Sequence, residues 1–260
     1  MTDFEIFKAS FPEYKLTEEL FDMLSGKNSC RIFRETGGTA FMNKNKLSFL
    51  AVAPNYRRKG VGTALLKNCE SYVKAEGYDR IGIGGFFPGL PVATQDFFVK
   101  NGFETCGEFV EMGMEIRKFT ADKSHAPVSA EFGIFNGNHS DLLTAVAEVD
   151  EEWVQYFSDD EKVFCGFVNG ELASFCIVDE SVQCLLSDGK SKVGSIGCVG
   201  TRPAFRKRGI GLYMVELATE LLSEKGCDKS FIHCTHLENW YKRLGYRTFL
   251  RYTAGRKIFE

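Results

Sequence analysis

The sequence predicts an α/β chain of two tandem domains with the same fold, and three observations support this. Its 260 residues suit two domains of about 100 to 150 residues each. The segment Pro54–Leu66, PNYRRKGVGTALL, returns as Pro203–Val215, PAFRKRGIGLYMV. Each copy lies between a short β-prone run and a stretch with helical periodicity. Duplication of one domain is the simplest explanation of such a repeat.

The repeat extends beyond these two segments. They align without gaps and share an arginine and two glycines, namely Arg57, Gly60 and Gly62 in the first copy and Arg206, Gly209 and Gly211 in the second. Further on, FFVKNGF (Phe97–Phe103) aligns with WYKRLGY (Trp240–Tyr246). The first copy carries extra residues between the two matches. Its glycines and prolines place them in Gly84–Pro91. The aromatic run within this segment, Phe86–Pro91, is either a lid over a binding site or a packed loop.

The elements of the two copies follow in the same order. Apolar, β-prone runs at Lys46–Val52 and Gly194–Gly200 predict strands. Apolar residues recurring at intervals of three and four predict helices at Val61–Glu76 and Ile210–Lys225, each followed by a glycine. A short strand, a second helix and a final strand then follow in both copies.

Turns and a linker complete the predicted organisation. A hairpin before the second copy turns at Asn169 and Gly170, and one before the first copy turns at Gly37 and Gly38. The polar segment Thr120–Ala130 has the composition of a linker. We therefore expect one domain at residues 1–122 and a second at residues 123–260.

Composition excludes several classes of function. The net charge is -3 and the charges are interspersed, so a nucleic acid is not expected as a partner. No apolar stretch approaches the ~18 residues that cross a membrane, so no membrane partner is expected. The nine cysteines are scattered and several lie in apolar runs, which is typical of reduced, buried thiols. We expect a cytoplasmic protein, and the sequence does not predict its oligomeric state.

The repeated RxxGxG segment has the features of an anion site. A strand that leads through a turn of Arg, Lys and Gly into a helix presents unpaired backbone N–H groups at the helix N-terminus. Glycine lets a phosphate approach the backbone, and the basic side chains add charge. The segment lacks the GK[ST] of a Walker loop and the GxGxxG of a dinucleotide fold. For one copy alone, the alternative is a solvated basic turn without a ligand. That alternative is weaker here, because two copies occur in the same order of strand, turn and helix.

On these motifs, both halves resemble the GCN5-related N-acetyltransferase (GNAT) family. The resemblance implies two tandem α/β (α+β) domains, each with a mixed, largely antiparallel central sheet flanked by helices, and acetyl-coenzyme A as cofactor. It also implies which residues bind coenzyme A. In the first copy they are Leu50, Ala51, Val52, Arg57, Arg58, Lys59, Gly60, Val61, Gly62 and Thr63. In the second they are Cys198, Val199, Arg206, Lys207, Arg208, Gly209, Ile210, Gly211 and Leu212.

The two copies depart from the family pattern in different ways. The family's tyrosine, which protonates the leaving thiolate, falls on Tyr241 in the second copy, whereas the first copy has Phe98. A phenyl ring cannot donate a proton. The first copy has small residues, Thr63 and Ala64, after its turn, which favours cofactor binding there. The family's helix-start asparagine is missing from both copies, which have Pro91 and Cys234 in its place.

These patterns predict an acetyl-coenzyme A-dependent N-acetyltransferase whose C-terminal half is catalytic. Tyr241 would be the general acid, and His233, at the end of a strand beside the cleft, is a candidate general base; His236 and Glu238 lie near it. The acceptor is a small-molecule amine or a peptide lysine. A non-catalytic acyl-CoA-binding module and catalysis by the N-terminal half remain alternatives. No metal is expected, because the cysteines and histidines near His233 lack ligand spacing.

Overall fold

The computed structural model describes residues 1–84 and 95–259 of the chain. The chain forms two compact units that we treat separately. Unit 1 comprises Met1–Val110, Gln183–Lys190 and Leu250–Glu260, and unit 2 comprises Glu111–Val182 and Ser191–Phe249. Each unit thus contains residues from distant parts of the sequence. The domain boundary between residues 122 and 123 stays a prediction.

The helices and strands occur in the following order along the chain. Up to residue 115 they are α1 (Asp3–Ser10), α2 (Glu18–Leu24), β1 (Arg31–Glu35), β2 (Gly38–Asn43), β3 (Lys46–Val52), α3 (Val61–Ala75), β4 (Arg80–Ile83), α4 (Gln95–Lys100) and β5 (Glu104–Glu115). After it they are β6 (Ala130–Ile134), α5 (His139–Ala147), β7 (Val163–Val168), β8 (Glu171–Asp179), β9 (Val193–Thr201), α6 (Ile210–Glu224), β10 (Lys229–Thr235), α7 (Glu238–Lys242) and β11 (Arg247–Ile258).

The sheet of unit 1 is mixed. Its strand order is β1-β2-β3-β4, followed by the part of β11 from residue 250 onward and the part of β5 up to residue 110. The β1–β2, β2–β3 and β4–β11 pairs are antiparallel, whereas β3 and β4 are parallel. A parallel pair requires a crossover connection, which α3 supplies.

Both faces of this sheet are covered. Alternate side chains of β2 and β3 point to opposite faces. One face packs against α3 through Ala40, Met42, Leu47, Leu65 and Leu66. The other carries an aromatic core in which Phe7 and Phe21, from α1 and α2, contact Phe41 and Phe49. Helix α1 begins at a capping box in which Thr2 and Glu5 bond each other's backbone N–H groups.

Unit 2 repeats the arrangement. Its strand order is β6-β7-β8-β9-β10, followed by the part of β5 from residue 111 onward. Pairs β6–β7, β7–β8 and β8–β9 are antiparallel, and β9–β10 is parallel across the crossover helix α6. Phe175 packs with Leu142 and Val146 of α5, while Ile210 of α6 packs with Ala173 and Phe205.

The structure confirms the predicted fold class and most predicted elements. Both strands and both helices that flank the repeated turn lie within one residue of their predicted ends. Asn169 and Gly170 form the predicted hairpin turn with φ of 51° and 79°. The other hairpin turns at Thr36 and Gly37, because Gly38 is already the first residue of β2. In the described part of the chain, no helix is both long and apolar enough to cross a membrane.

Candidate active site

Two turns of nearly identical conformation connect β3 to α3 and β9 to α6. Each starts with a short 3₁₀ turn, at Pro54–Tyr56 or Pro203–Phe205, and ends at a glycine that caps the helix. The residues with left-handed backbone are Arg58 (φ 61°) and Gly60 (φ 82°) in unit 1, and Lys207 (φ 63°) and Gly209 (φ 78°) in unit 2. The sequence repeat is therefore also a conformational repeat.

Both turns present backbone N–H groups that need a partner. Within the described residues, the N–H groups from Arg58 to Thr63 and from Lys207 to Leu212 have no hydrogen-bond acceptor. A Cβ added at either capping glycine would meet no atom within 4 Å, so the space beside the backbone is open. Exposed N–H groups at a helix N-terminus carry partial positive charge and bind anions. Each turn can therefore bind a phosphate or pyrophosphate group.

The first arginine of each RxxGxG segment stabilises its turn. Arg57 donates from Nε to the carbonyl of Val52, and Arg206 donates to the carbonyl of Thr201, each over 2.9 Å. The side chains that follow in each turn are exposed and basic, and they are Arg58, Lys59, Lys207 and Arg208. One arginine thus joins the turn to the end of the strand, while the other cations add charge at the anion site.

The residues after the glycines differ between the units. Ala64 is small, and Tyr213 occupies its place in unit 2. Tyr213 is buried, however, with its ring 5.3 Å from that of Phe132. This tyrosine therefore packs in the core of unit 2 and does not cover the turn. Ile210 is buried as well, so only its backbone could contact a ligand.

Strands β9 and β10 of unit 2 separate after their first residues. Their parallel pairing runs from Lys229↔Val193 to Phe231↔Ser195, although β9 continues to Thr201 and β10 to Thr235. Beyond it, β9 stays paired with β8, with a register shift and a left-handed φ of 46° at Cys198. This β-bulge bends β9. Cys198 and Val199 therefore line an edge of β9 whose backbone could pair with an extended ligand.

Unit 1 also has a register shift between the equivalent strands, β2 and β3, but it lies at Ser48 and no residue of β3 has a left-handed φ. Pairing of β3 with β4 ends at Leu47↔Ile83, so Leu50, Ala51 and Val52 lie beyond it. The repeat places Phe49 where unit 2 has Cys198, and Phe49 is buried in the aromatic core. The predicted insertion is outside the described residues except for Gly84, as is Pro91.

Tyr241, the predicted general acid, lies on α7 and is 4% exposed. Its ring packs edge-on against Trp240 at 4.8 Å and against Tyr246 at 6.0 Å. Its hydroxyl makes no hydrogen bond to any described residue. Burial raises the pKa of Tyr241, and Cys176, Tyr246 and Cys198 act electrostatically in the same direction. The hydroxyl is therefore protonated at neutral pH and can donate a hydrogen bond.

Phe98 occupies the same place in unit 1 and lies on α4. It is 2% exposed and packs edge-on against Phe97 and Phe103 at 5.1 and 5.3 Å. The position is therefore apolar as well as lacking a hydroxyl.

Two thiols that act electrostatically on Tyr241, those of Cys198 and Cys176, have raised pKa values. Burial raises the pKa of Cys198 to about 11, with Asp150 and Glu161 adding to the shift. Burial also raises the pKa of Cys176 well above its ordinary value. These surroundings therefore disfavour a thiolate and favour protonation of sulfur.

His233, the candidate base, lies near the end of β10, and its side chain is 50% exposed. Its Nδ1 is 2.9 Å from Oε2 of Glu111, a residue of β5 whose side chain is 2% exposed. Sequence analysis missed Glu111, although an acid between the apolar residues Val110 and Met112 interrupts the apolar run and was a usable signal.

The remaining candidate groups near His233 do not converge on one point. Cys227 is buried, while Cys234 and His236 are exposed. Within the described residues, no three histidine, cysteine or acidic side chains form a group suited to a metal ion. The eight cysteines whose side chains the structure describes are all free thiols, and five of them are buried.

Comparison with known families gives one clear match. The sequence model of the Acetyltransferase (GNAT) family matches residues 5–103 and 133–246 separately. The two matched regions together span most of the chain, and each contains one copy of the repeated turn.

Solved structures with the same fold include three informative examples. The glucosamine N-acetyltransferase region of a fungal multi-domain GH3 β-N-acetylglucosaminidase has a TM-score of 0.75 at 21% identity, covering 97% of this chain and 36% of that one. A GCN5-related N-acetyltransferase from Sphaerobacter thermophilus has a TM-score of 0.63 at 18% identity, and the match covers 85% of this chain and 76% of that one. A tandem GNAT protein from the clavulanic acid biosynthesis pathway has a TM-score of 0.60 at 12% identity, and the match covers 99% of this chain and 96% of that one. The present chain thus spans about a third of the fungal protein.

Proposed function

Since the chain belongs to the acetyltransferase (GNAT) family, we propose that it transfers an acetyl group from acetyl-coenzyme A to a primary amine, with catalysis in unit 2. Its assignment as an N-acetyltransferase follows from the family. The observation that carries the rest is the hydroxyl of Tyr241, a residue that is 4% exposed in unit 2 and that unit 1 replaces with Phe98.

The turn of unit 2 fits the diphosphate of coenzyme A. N–H groups from Lys207 to Leu212 lack acceptors within the described residues, and a Cβ at Gly209 would project into open space. The open edge of β9 at Cys198 and Val199 suits the amide groups of the pantetheine arm, which can pair with a strand as another strand does. Bound there, acetyl-coenzyme A supplies a thioester carbonyl for attack by an amine and a thiolate as leaving group.

Tyr241 would act on the leaving sulfur. Its raised pKa keeps the proton on the phenol, and by itself that makes proton transfer less favourable. Cys198, which acts electrostatically on Tyr241, also has its pKa raised by burial, to about 11. A leaving thiolate that is buried there would be destabilised by the same cause, which would bring the pKa values of thiol and phenol closer and make donation by Tyr241 feasible.

The acceptor would be a primary amine, either on a small molecule or on a peptide lysine. Glucosamine is the first amine to try, because the structure with the highest TM-score of the three is described as a glucosamine N-acetyltransferase region. That likeness concerns the fold, so spermidine, kanamycin, lysine and a lysine-containing peptide belong in the same panel.

The test is release of coenzyme A thiol from acetyl-coenzyme A in the presence of each amine. We expect amine-dependent release and a mass increase of one acetyl group on the acceptor. Thermal stabilisation by acetyl-coenzyme A with no release for any amine in the panel would instead support a binding module without catalysis.

Unit 1 would bind coenzyme A without turning it over. Its turn has the backbone conformation of the unit 2 turn and the same unpaired N–H groups, while Phe98 removes the proton donor. If Phe98→Tyr created activity in a chain inactivated at Tyr241, catalysis by unit 1 would be the better interpretation.

A further inference from the structure

Glu111 is a carboxylate in a place where packing alone favours an apolar side chain. It lies in the part of β5 that belongs to unit 2, and its side chain is 2% exposed. Its Oε2 is 2.9 Å from Nδ1 of His233, whose side chain is half exposed. An ionised carboxylate is strongly destabilised by burial unless it is paired. The pair therefore joins a buried charge to an imidazole that solvent can reach.

This contact determines which nitrogen of the imidazole can accept a proton. An ionised carboxylate only accepts hydrogen bonds, so a neutral His233 next to it carries its proton on Nδ1. The lone pair of the neutral ring is then on Nε2.

His233 and Tyr241 lie on opposite faces of β10. The Ser230 hydroxyl is 2.7 Å from the Tyr246 hydroxyl, and the Tyr246 ring packs against Tyr241. Phe231 and His233 are neighbours on the other face, with their rings 5.8 Å apart. Phe231 is the last residue of β10 that pairs with β9, so His233 lies where these two strands have separated. Proton transfer at the amine and proton transfer at the leaving sulfur can therefore be assigned to two different side chains.

We propose that His233 is the general base for the acceptor amine and that Glu111 is the residue that positions it, by holding the ring with its lone pair on Nε2. The proposal rests on the proposed transferase function and extends it. Nε2 of His233 takes a proton from the acceptor ammonium: an N–H bond of the ammonium breaks, one forms at Nε2, and the electron pair stays on the amine nitrogen for attack. His233 later releases that proton to solvent. Unit 1 has Gly84 at the repeat position of His233 and lacks the base.

Other titratable groups surround this part of unit 2. They are Cys198 on β9, Cys234 and His236 at the end of β10, and Glu238 and Tyr241 on α7. Glu238 accepts a hydrogen bond from the Thr248 hydroxyl at 2.8 Å and pairs with Lys242 at 2.6 Å. Replacement of Glu111 therefore changes the contact to His233 and leaves these contacts of Glu238 in place.

Glu111→Gln tests the dyad, because glutamine keeps the shape and can still accept from Nδ1 but has no charge. Glu111→Gln should lower kcat/KM by about tenfold, because the amide can hold either tautomer of the His233 ring, and His233→Gln should lower it by about 10²-fold or more. In a His233→Gln background, Glu111→Gln should have no further effect, because Glu111 acts through the imidazole. The acceptor is the best amine of the panel above.

Asp159→Asn is the matched control. Asp159 pairs with His139 at 3.2 Å but is largely exposed, so its replacement should leave kcat/KM unchanged. An equal loss from Glu111→Gln in the wild-type and His233→Gln backgrounds would show a merely structural Glu111 and overturn the dyad, while the transferase function would stand. Absence of transfer to every amine would overturn the function, and the dyad with it.

Nitrogen NMR of the histidines in the full chain gives a readout without substrate. The His233 signal is assigned by its loss in His233→Gln. We expect neutral His233 to carry its proton on Nδ1, and we expect this preference for one tautomer to be lost in Glu111→Gln. A proton on Nε2, or the same tautomer preference in both proteins, would overturn the dyad.

Discussion

Unit 1 and unit 2 share a fold and a turn but differ at every position where chemistry is proposed. Their turns agree within a few degrees, with φ of 82° and 78° at the capping glycines. Near the proposed centre, unit 2 has Tyr241, Tyr246 and His233 where the repeat gives unit 1 Phe98, Phe103 and Gly84. The turn proposed to bind an anion therefore has the same conformation in both units, whereas the polar groups near the proposed centre are present in one.

Tyr246 shows how unit 2 maintains polar groups in its core. Its buried hydroxyl is 2.9 Å from Thr219 and 2.7 Å from Ser230. The repeat gives unit 1 Phe103, with Glu70 and Ile81 in place of the two partners. A buried hydroxyl is tolerated where its partners are present, and the three substitutions together remove the whole network. Unit 1 thus has an apolar core where unit 2 has a polar network.

The largest expected effect is at Tyr241. Tyr241→Phe should lower kcat by about 10²-fold with little change in affinity for acetyl-coenzyme A, because one general acid is lost and the anion site is kept. Steady-state kinetics of thiol release with a saturating amine measure both quantities. An unchanged kcat, where chemistry limits the rate, would remove the acid role from Tyr241.

Phe98→Tyr is the matched change in unit 1. It should give no compensating activity, because unit 1 also lacks an imidazole at Gly84. It should destabilise the fold by about 1–3 kcal/mol, since Phe98 is enclosed by apolar groups and a new hydroxyl would lack a partner. Urea denaturation followed by circular dichroism measures the loss.

The second effect concerns the last glycine of the two turns. A Cβ at Gly211 would lie 2.4 Å from Oγ1 of Thr201, whereas at Gly62 the nearest atom is 3.5 Å away on Phe97. Because Thr is β-branched and stiff, Gly211→Ala should cost about 1–3 kcal/mol of unfolding free energy. Gly62→Ala should be neutral or slightly stabilising. Urea denaturation of both variants measures the difference.

A second substitution at Thr201 identifies the cause. Thr201→Ala removes the oxygen that the new Cβ would meet, so it should recover most of the loss in the Gly211→Ala background. If the two variants at the glycines are equally stable, the turns are interchangeable and this part of the comparison is wrong.

The third effect tests the buried network. Tyr246→Phe should lower the unfolding free energy by about 1–2 kcal/mol, because Ser230 loses its buried partner while Thr219 still bonds to the Val215 carbonyl. In a Ser230→Ala background, Tyr246→Phe should lower the unfolding free energy by less, because Ser230 no longer has a hydroxyl that loses its partner. Equal costs in both backgrounds, measured by denaturation, would show that the hydroxyls do not act together.

The smallest expected effect concerns cofactor affinity. Calorimetry should find two coenzyme A sites per chain, with unit 1 binding at least as tightly as unit 2. Arg58→Glu and Lys207→Glu reverse an exposed charge at equivalent places in the two turns, and each should weaken its own site by about 3- to 10-fold. A single site that is lost in Lys207→Glu and unchanged in Arg58→Glu would limit coenzyme A binding to unit 2.

Local sequence determined the repeated framework. Glycine at a position with φ near 80°, the apolar periodicity of α3 and α6, and the β-prone runs before them are properties of short segments. They predicted the strand, turn and helix of both units within a residue or so, and the family resemblance supplied the fold. Helix α1 was also readable in principle, since Thr2 and Glu5 form a capping-box pattern that the sequence analysis did not use.

Tertiary structure decided everything that depends on contact between distant segments. The pair of Glu111 and His233 joins residues 122 positions apart, and no local pattern relates a buried acid on one strand to an imidazole on another. The separation of β9 from β10 likewise follows from how two strands pair, and the sequence showed no bulge at Cys198. Local propensity fixes elements because its causes lie within a few residues, whereas charges and hydroxyls acquire a role from the groups that folding brings to them.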